Sequence, residues 1–116
     1  MMALVAEPVP RPDWFEVPRP GCRGVHSKVL LHTPELLLAL LRFGPGSTVD
    51  EHPAPHVVDV ICLEGEGFFS VDGEPGPIRA GQRVQWPPNR PHRLWTETGS
   101  MLTLMVEHPR QGATGG

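Results

Sequence analysis

Apolar and polar positions alternate along this chain in short stretches, and turn residues interrupt them every eight to twelve positions. "VHSKVLLH" runs up to Thr33-Pro34, and "HVVDVICLEG" is rich in β-branched residues. "EGFFSVDGE" carries Asp72-Gly73, a hairpin signal, because both residue types tolerate the positive φ of a tight two-residue turn. "IRAGQRVQW" leads into "PPNRP", then "HRLWTE", and "MLTLMVEH" follows Gly99. This pattern predicts an all-β domain of six to ten antiparallel strands, closed as a sandwich or barrel.

One segment has two readings. "TPELLLALLRF" has the form of a capped helix, with Thr33 at the N-cap, Pro34 in the first turn and strong helix formers behind them. It is also apolar nearly all round, short, and flanked by strand-like stretches, which suits a buried strand. Context decides for a strand over residues 36–43.

A chain of 116 residues suits one domain with one core. Its 15 prolines and 13 glycines favour many tight turns over long helices. Residues 1–24 hold five of those prolines and read as an extended arm, with Trp14 and Phe15 anchoring it on the core or on a partner subunit. The domain proper is expected at 25–108, and residues 109–116 as a frayed tail. A net charge of −3 with scattered basic residues gives no footprint for nucleic acid, and no stretch is long and apolar enough for a membrane span. The first residues lack the basic start and apolar run of a signal peptide, so a cytoplasmic location is the default expectation. Cys22 and Cys62 are accordingly expected as free thiols.

The candidate chemistry lies in "EHPAPH", residues 51–56, and in "PPNRPH", residues 87–92, each with histidine beside proline. "GSTVDEHPAPHVVDVICLEGEGFFSVDGE" followed by "AGQRVQWPPNRPHRLW" resembles the cupin superfamily, over roughly residues 25–107. The resemblance implies an antiparallel double-stranded β-helix, the cupin-type jelly-roll barrel, inside which metal-binding members converge three histidines and a glutamate. In the first motif Gly46 leads to His52 at the first histidine position, while Ala54 stands at the second and Val58 at the glutamate, with Gly65 closing the strand. In the second, Gly81 and Pro87 match, Asn89 stands for a glycine, His92 is the third histidine, and Thr96 replaces the final asparagine.

The family glutamate points into the barrel, so the resemblance turns Val58 inward, and strand parity turns His56, Val60 and Cys62 with it. His52, His56 and His92 are then the candidate metal ligands, leaving open positions for water or substrate. Neutral imidazoles suit a divalent transition metal (Zn, Fe, Ni, Cu or Co) rather than Mg or Ca. Val58, Val60, Cys62, Trp86 and Trp95 are candidate pocket-lining residues, the two tryptophans serving equally as barrel wall. Arg83, Arg90 and Arg93 surround the second motif and suit either carboxylate recognition or a solvated surface. No second acid/base pair is visible, so the resemblance points to metal-dependent, dioxygenase-like oxidation of a small organic molecule. The alternative is a non-catalytic small-ligand-binding or sensing protein without metal. The apolar arm and open sheet edges add the expectation of a homodimer.

Overall fold

The computed structural model describes residues 4–112, and within them the chain is built of strands and turns. Eight strands run in order: β1 (Arg11–Glu16), β2 (Cys22–His32), β3 (Leu37–His52), β4 (His56–Val71), β5 (Glu74–Arg79), β6 (Arg83–Trp86), β7 (His92–Trp95) and β8 (Met101–Gly112). Every pairing is antiparallel. No helix among the described residues is long and apolar enough to cross a membrane.

Two long strands organise the barrel. The first half of β3 pairs with β8, and its second half pairs with β7. Likewise β4 pairs with β8 and β6 before Gly65, and with β5 and β7 after it. The circuit β3–β8–β4–β7 therefore closes into an antiparallel jelly roll, as the turn pattern and the resemblance predict. Gly65 marks the bend in β4. Its φ is +75°, and a Cβ there would collide with the Ser100 carbonyl, so only glycine fits the corner.

Local chemistry explains the elements. Asp72 (φ +53°) and Gly73 (φ +79°) form the two-residue turn that joins β4 to β5, with Val71 opposite Glu74. The residues from Leu37 form a strand, as expected from context. Thr33 does cap, but only a tight turn: its Oγ1 accepts from the backbone N of Leu36 at 3.0 Å and of Glu35 at 3.2 Å. A helix would have left this apolar segment with no single face to bury. As a strand it pairs with β2 on one side and β8 on the other, which engages its backbone polar groups, and it sends Ala39 and Phe43 into the core.

The core is Val25, Phe43, Val49, Val58, Val60, Cys62, Ile78, Trp86, Leu94, Met101 and Met105. Along β4, Val58, Val60 and Cys62 are buried at alternate positions, which is the parity expected for one inward face. The described boundaries differ from those read in the sequence. β2 starts at Cys22, inside the expected arm, and β1 adds to the sheet by pairing with β2. At the other end β8 continues to Gly112, so residues 109–112 extend a strand rather than open a tail; residues 113–116 lie outside the described residues. Trp14 is clasped on the sheet's outer side by Lys28 and Arg42, with Nζ 4.8 Å and Cζ 4.4 Å from its ring centre. Phe15, on the opposite parity, faces the barrel opening.

Candidate functional site

A cavity of about 370 Å³ opens at one end of the barrel. Aliphatic side chains dominate its wall, among them Val29, Leu37, Ala39, Leu41 and Met105. Its polar groups are His52, His56, His92, Arg19, Glu107, Ser27 and the Cys22 thiol, with Trp86 beside them. A separate, more open groove of about 520 Å³ runs past Trp14, His26, Arg42 and Glu64; it brings together no comparable set of histidines.

The ladder itself brings His52 and His92 together, since they are direct cross-strand partners on β3 and β7. Two proline loops hold the strand ends in place. Asn89, at φ +59°, donates its backbone N–H to the Ala54 carbonyl at 2.6 Å, joining "PPNRP" to "PAP". Asn89 thus adopts the left-handed turn expected of a residue standing in for glycine. The Nε2 atoms of His52 and His92 are 3.3 Å apart, with the rings edge to face. Trp86, paired with Val58 at the end of β6, stacks flat on His92 at 3.9 Å between ring centres.

Hydrogen-bond partners settle the tautomer of His52. Nδ1 is 2.8 Å from the Asp50 carbonyl, which can only accept, so Nδ1 carries the proton and Nε2 the lone pair. That lone pair accepts from Arg19 Nη1 at 2.9 Å. His92 is only 1% exposed, and its Nδ1 has no hydrogen-bond partner; neither does Nε1 of Trp86. Burial pushes the His92 pKa down to about 4, and the neighbouring His52 imidazole adds to the effect. Arg19 acts in the same direction, while a backbone contact with Arg90 opposes it. His92 is therefore neutral at pH 7, the form in which an imidazole can ligate a metal.

The third predicted ligand is used differently. His56 lies in the cavity wall, but its Nε2 meets Oε1 of Glu107 at 2.7 Å. Among the described residues, no three His, Cys, Asp or Glu side chains gather into a group placed to hold a metal ion. Glu107, the carboxylate that engages His56, is absent from the candidates read in the sequence. It lies on β8 directly opposite Val58, the position where the family pattern has its glutamate.

Of the candidate lining residues, Val58 and Trp86 face the cavity. Val60 and Cys62 are fully buried in the core away from its wall. Trp95 is turned to the outer side, stacked on Phe68 at 5.7 Å and covered by Arg93. Parity explains Trp95: Leu94, its neighbour, takes the inward position. Both thiols are free, and burial raises the pKa of each.

Arg83, Arg90 and Arg93 are engaged by the protein's own carboxylates: Asp59 at 2.9 Å, Asp72, and Asp50 at 3.7 Å. Asp59, on the opposite parity to Val58 and Val60, also receives His108 at 2.9 Å. The arginine at the cavity is Arg19, held between Pro18 and Pro20 in the β1–β2 connection and forming no ion pair among the described residues. Nothing in its local sequence signalled that position. Glu107 did leave a signal: Met101, Thr103 and Met105 are buried at alternate positions of β8, and Glu107 continues that inward series.

An eight-stranded jelly roll with paired histidines at one mouth defines a class of small β-barrel proteins. Residues 39–107 match the Cupin domain family, and the chain belongs to that family. Among solved structures, a cupin 2 conserved barrel domain protein from Leptotrichia buccalis is 33% identical, with a TM-score of 0.70. The match covers 72% of this chain and 40% of that one, so this chain spans less than half of that relative. A predicted oxalate decarboxylase from Thermotoga maritima is 27% identical over 76% of this chain and 84% of the other, with a TM-score of 0.69. The polyketide cyclase RemF from Streptomyces resistomycificus superposes with a TM-score of 0.79 over 91% of this chain and 81% of its own. At 20% identity it shows the shared fold alone. No curated protein sequence matches the chain.

Proposed function

We propose that the barrel binds a small, largely apolar organic molecule in the cavity, against a divalent transition metal (Zn, Fe, Ni, Cu or Co) held by His52 and His92. The observation that carries this reading is the 3.3 Å separation of their Nε2 atoms. Two imidazoles bound to one tetrahedral ion at about 2.1 Å each stand about 3.4 Å apart. The tautomer of His52 and the neutrality of His92 suit the same role. Such an ion, when bound, polarises a carbonyl or activates water. Arg19 guards the mouth, Trp86 fixes the plane of His92, and the aliphatic wall excludes water from the ligand.

Oxidation follows from the sequence only in so far as no acid/base pair is visible there. The His56–Glu107 pair removes that reason, and proton-transfer chemistry in the cavity becomes the better supported activity. A metal-free binding protein is the second reading, favoured by one contact: Arg19 already occupies the lone pair of His52 that a metal would need. The homodimer belongs to the same proposal, with β1 as an edge strand open to pairing; sedimentation as a monomer at micromolar concentration would contradict it.

Elemental analysis of protein purified without a metal-chelating tag separates the readings. Metal near one equivalent, lost in His52→Ala and His92→Ala and largely kept in His56→Ala, is the expected result. Protein without metal that takes up none on addition of Zn, Fe, Ni, Cu or Co would leave the binding-protein reading.

A further inference from the structure

The half-buried His56–Glu107 pair lines the cavity, and metal binding by His52 and His92 leaves it unused. Its geometry is that of a proton carrier with its orienting partner. Glu107 lies on the inward face of β8, opposite Val58, and His56 opens β4 two residues before Val58, across a register irregularity, with its side chain in the same cavity wall. Diagonal neighbours of this kind are within reach of long side chains. The 2.7 Å contact is partly shielded, with side-chain exposures of 20% and 30%. An ionised carboxylate only accepts, so Nε2 of His56 carries the donated proton. In the neutral ring Nδ1 then holds the free lone pair, and it makes no hydrogen bond among the described residues. Surface ion pairs are common and usually contribute little. This one lines the same concave wall as His52, His92 and Arg19, which sets it apart.

The geometry points to His56 as the general base of an enolisation, with Glu107 as its positioning residue, acting on a 2-oxo carboxylate that carries an apolar group at C3. This deepens the reading above, since it rests on the cavity being the ligand site. Each part of that substrate class has a counterpart. Arg19 is a cation at the mouth with no ion-pair partner among the described residues, and its planar fork suits a carboxylate. Val29, Leu37, Leu41 and Met105 provide an apolar wall for the C3 substituent and few donors for a sugar or a phosphate. The step balances without a co-reactant. Nδ1 of His56 takes the C3 proton, the C–H electron pair becomes the C2=C3 double bond, and the carbonyl π pair moves onto oxygen. Return of the proton to that oxygen gives the enol, and return to C3 gives back the keto form. The net reaction is a tautomerisation.

Phenylpyruvate is a suitable probe. Deuterium uptake at its C3 in D₂O is followed by NMR with the full-length protein, and its binding is measured by calorimetry. The wild type should accelerate exchange over buffer, and His56→Ala should reduce that acceleration about 100-fold or more while binding persists. Added imidazole should restore part of the exchange to His56→Ala, which a structural role for the residue would not allow. Glu107→Gln, which keeps an acceptor but loses the charge, should lower exchange about tenfold and shift its pH profile, with binding unchanged. Exchange equal in wild type and His56→Ala overturns the inference. Failure of the wild type to bind phenylpyruvate overturns it as well. The metal content of His52→Ala and His92→Ala in the same preparations judges the metal reading separately.

Discussion

His92 should make this protein acid-sensitive in a measurable way when no metal is present. The ring is 1% exposed, stacked on Trp86 and edge-on to His52, and its pKa is held down to about 4. In the unfolded chain an imidazole titrates near 6.5. Between those values the unfolded state binds the proton and the folded state does not, so stability must fall as pH falls from 6.5 to 4 and then level off. At about 1.4 kcal/mol per pH unit the full effect is capped at roughly 3 kcal/mol. Solvent entering the cavity beside the ring screens part of this, which leaves about 2 kcal/mol as the expected loss. The assay is urea unfolding by circular dichroism at pH 7, 6, 5 and 4 with chelator present, on wild type and His92→Asn. Subtracting the two curves cancels the other titrating groups. A difference that stays flat, or that grows in favour of the wild type on acidification, would refute the argument.

Replacing Gly65 by Ala should lower stability by more than about 2 kcal/mol, because positive φ and the clash with the Ser100 carbonyl add together. The control is Gly73→Ala, also at positive φ but with nothing near its added Cβ, which should cost only about 1 kcal/mol in the same urea titration. Arg19→Ala frees Nε2 of His52 from a charge-assisted hydrogen bond worth about 1.5 kcal/mol; Zn binding by calorimetry should tighten roughly tenfold, and weaker binding would show that Arg19 assists the site. Cys62 should resist a thiol reagent at pH 7 until the protein is unfolded, and Cys22 should react slowly, since burial raises the pKa of both; rapid labelling of Cys62 would contradict the core described here.

The fold was legible because turn chemistry is local. Asp72-Gly73, the proline clusters and the β-branched run of β4 each specify their geometry within a few residues. Even the ambiguous leucine segment was decided by its neighbours, and Thr33 shows why it looked helical: its hydroxyl does cap, for a single turn. The site was legible only where it followed the strand pattern. His52 and His92 could be singled out together because the family spacing puts them on strands that the structure pairs. His56 was found by parity, but its partner Glu107 is 51 residues away along the chain, and only the register of β4 against β8 joins them. Trp95 was misplaced by one residue of parity, the smallest error that turns a side chain from the inside to the outside. Arg19 reaches the cavity from an irregular connection, where no periodicity exists to read.

The placement of Glu107 opposite Val58 shows how a barrel interior can be furnished. Directly opposed residues on neighbouring strands share a face and stand about 5 Å apart. A functional group can therefore be relocated sideways, from one strand to the next, with almost no change in where it acts. The address of a chemical group in such a barrel is its height and its face, and several points along the chain share each address. Two proteins of this shape can furnish one cavity alike while agreeing at none of the positions that do so.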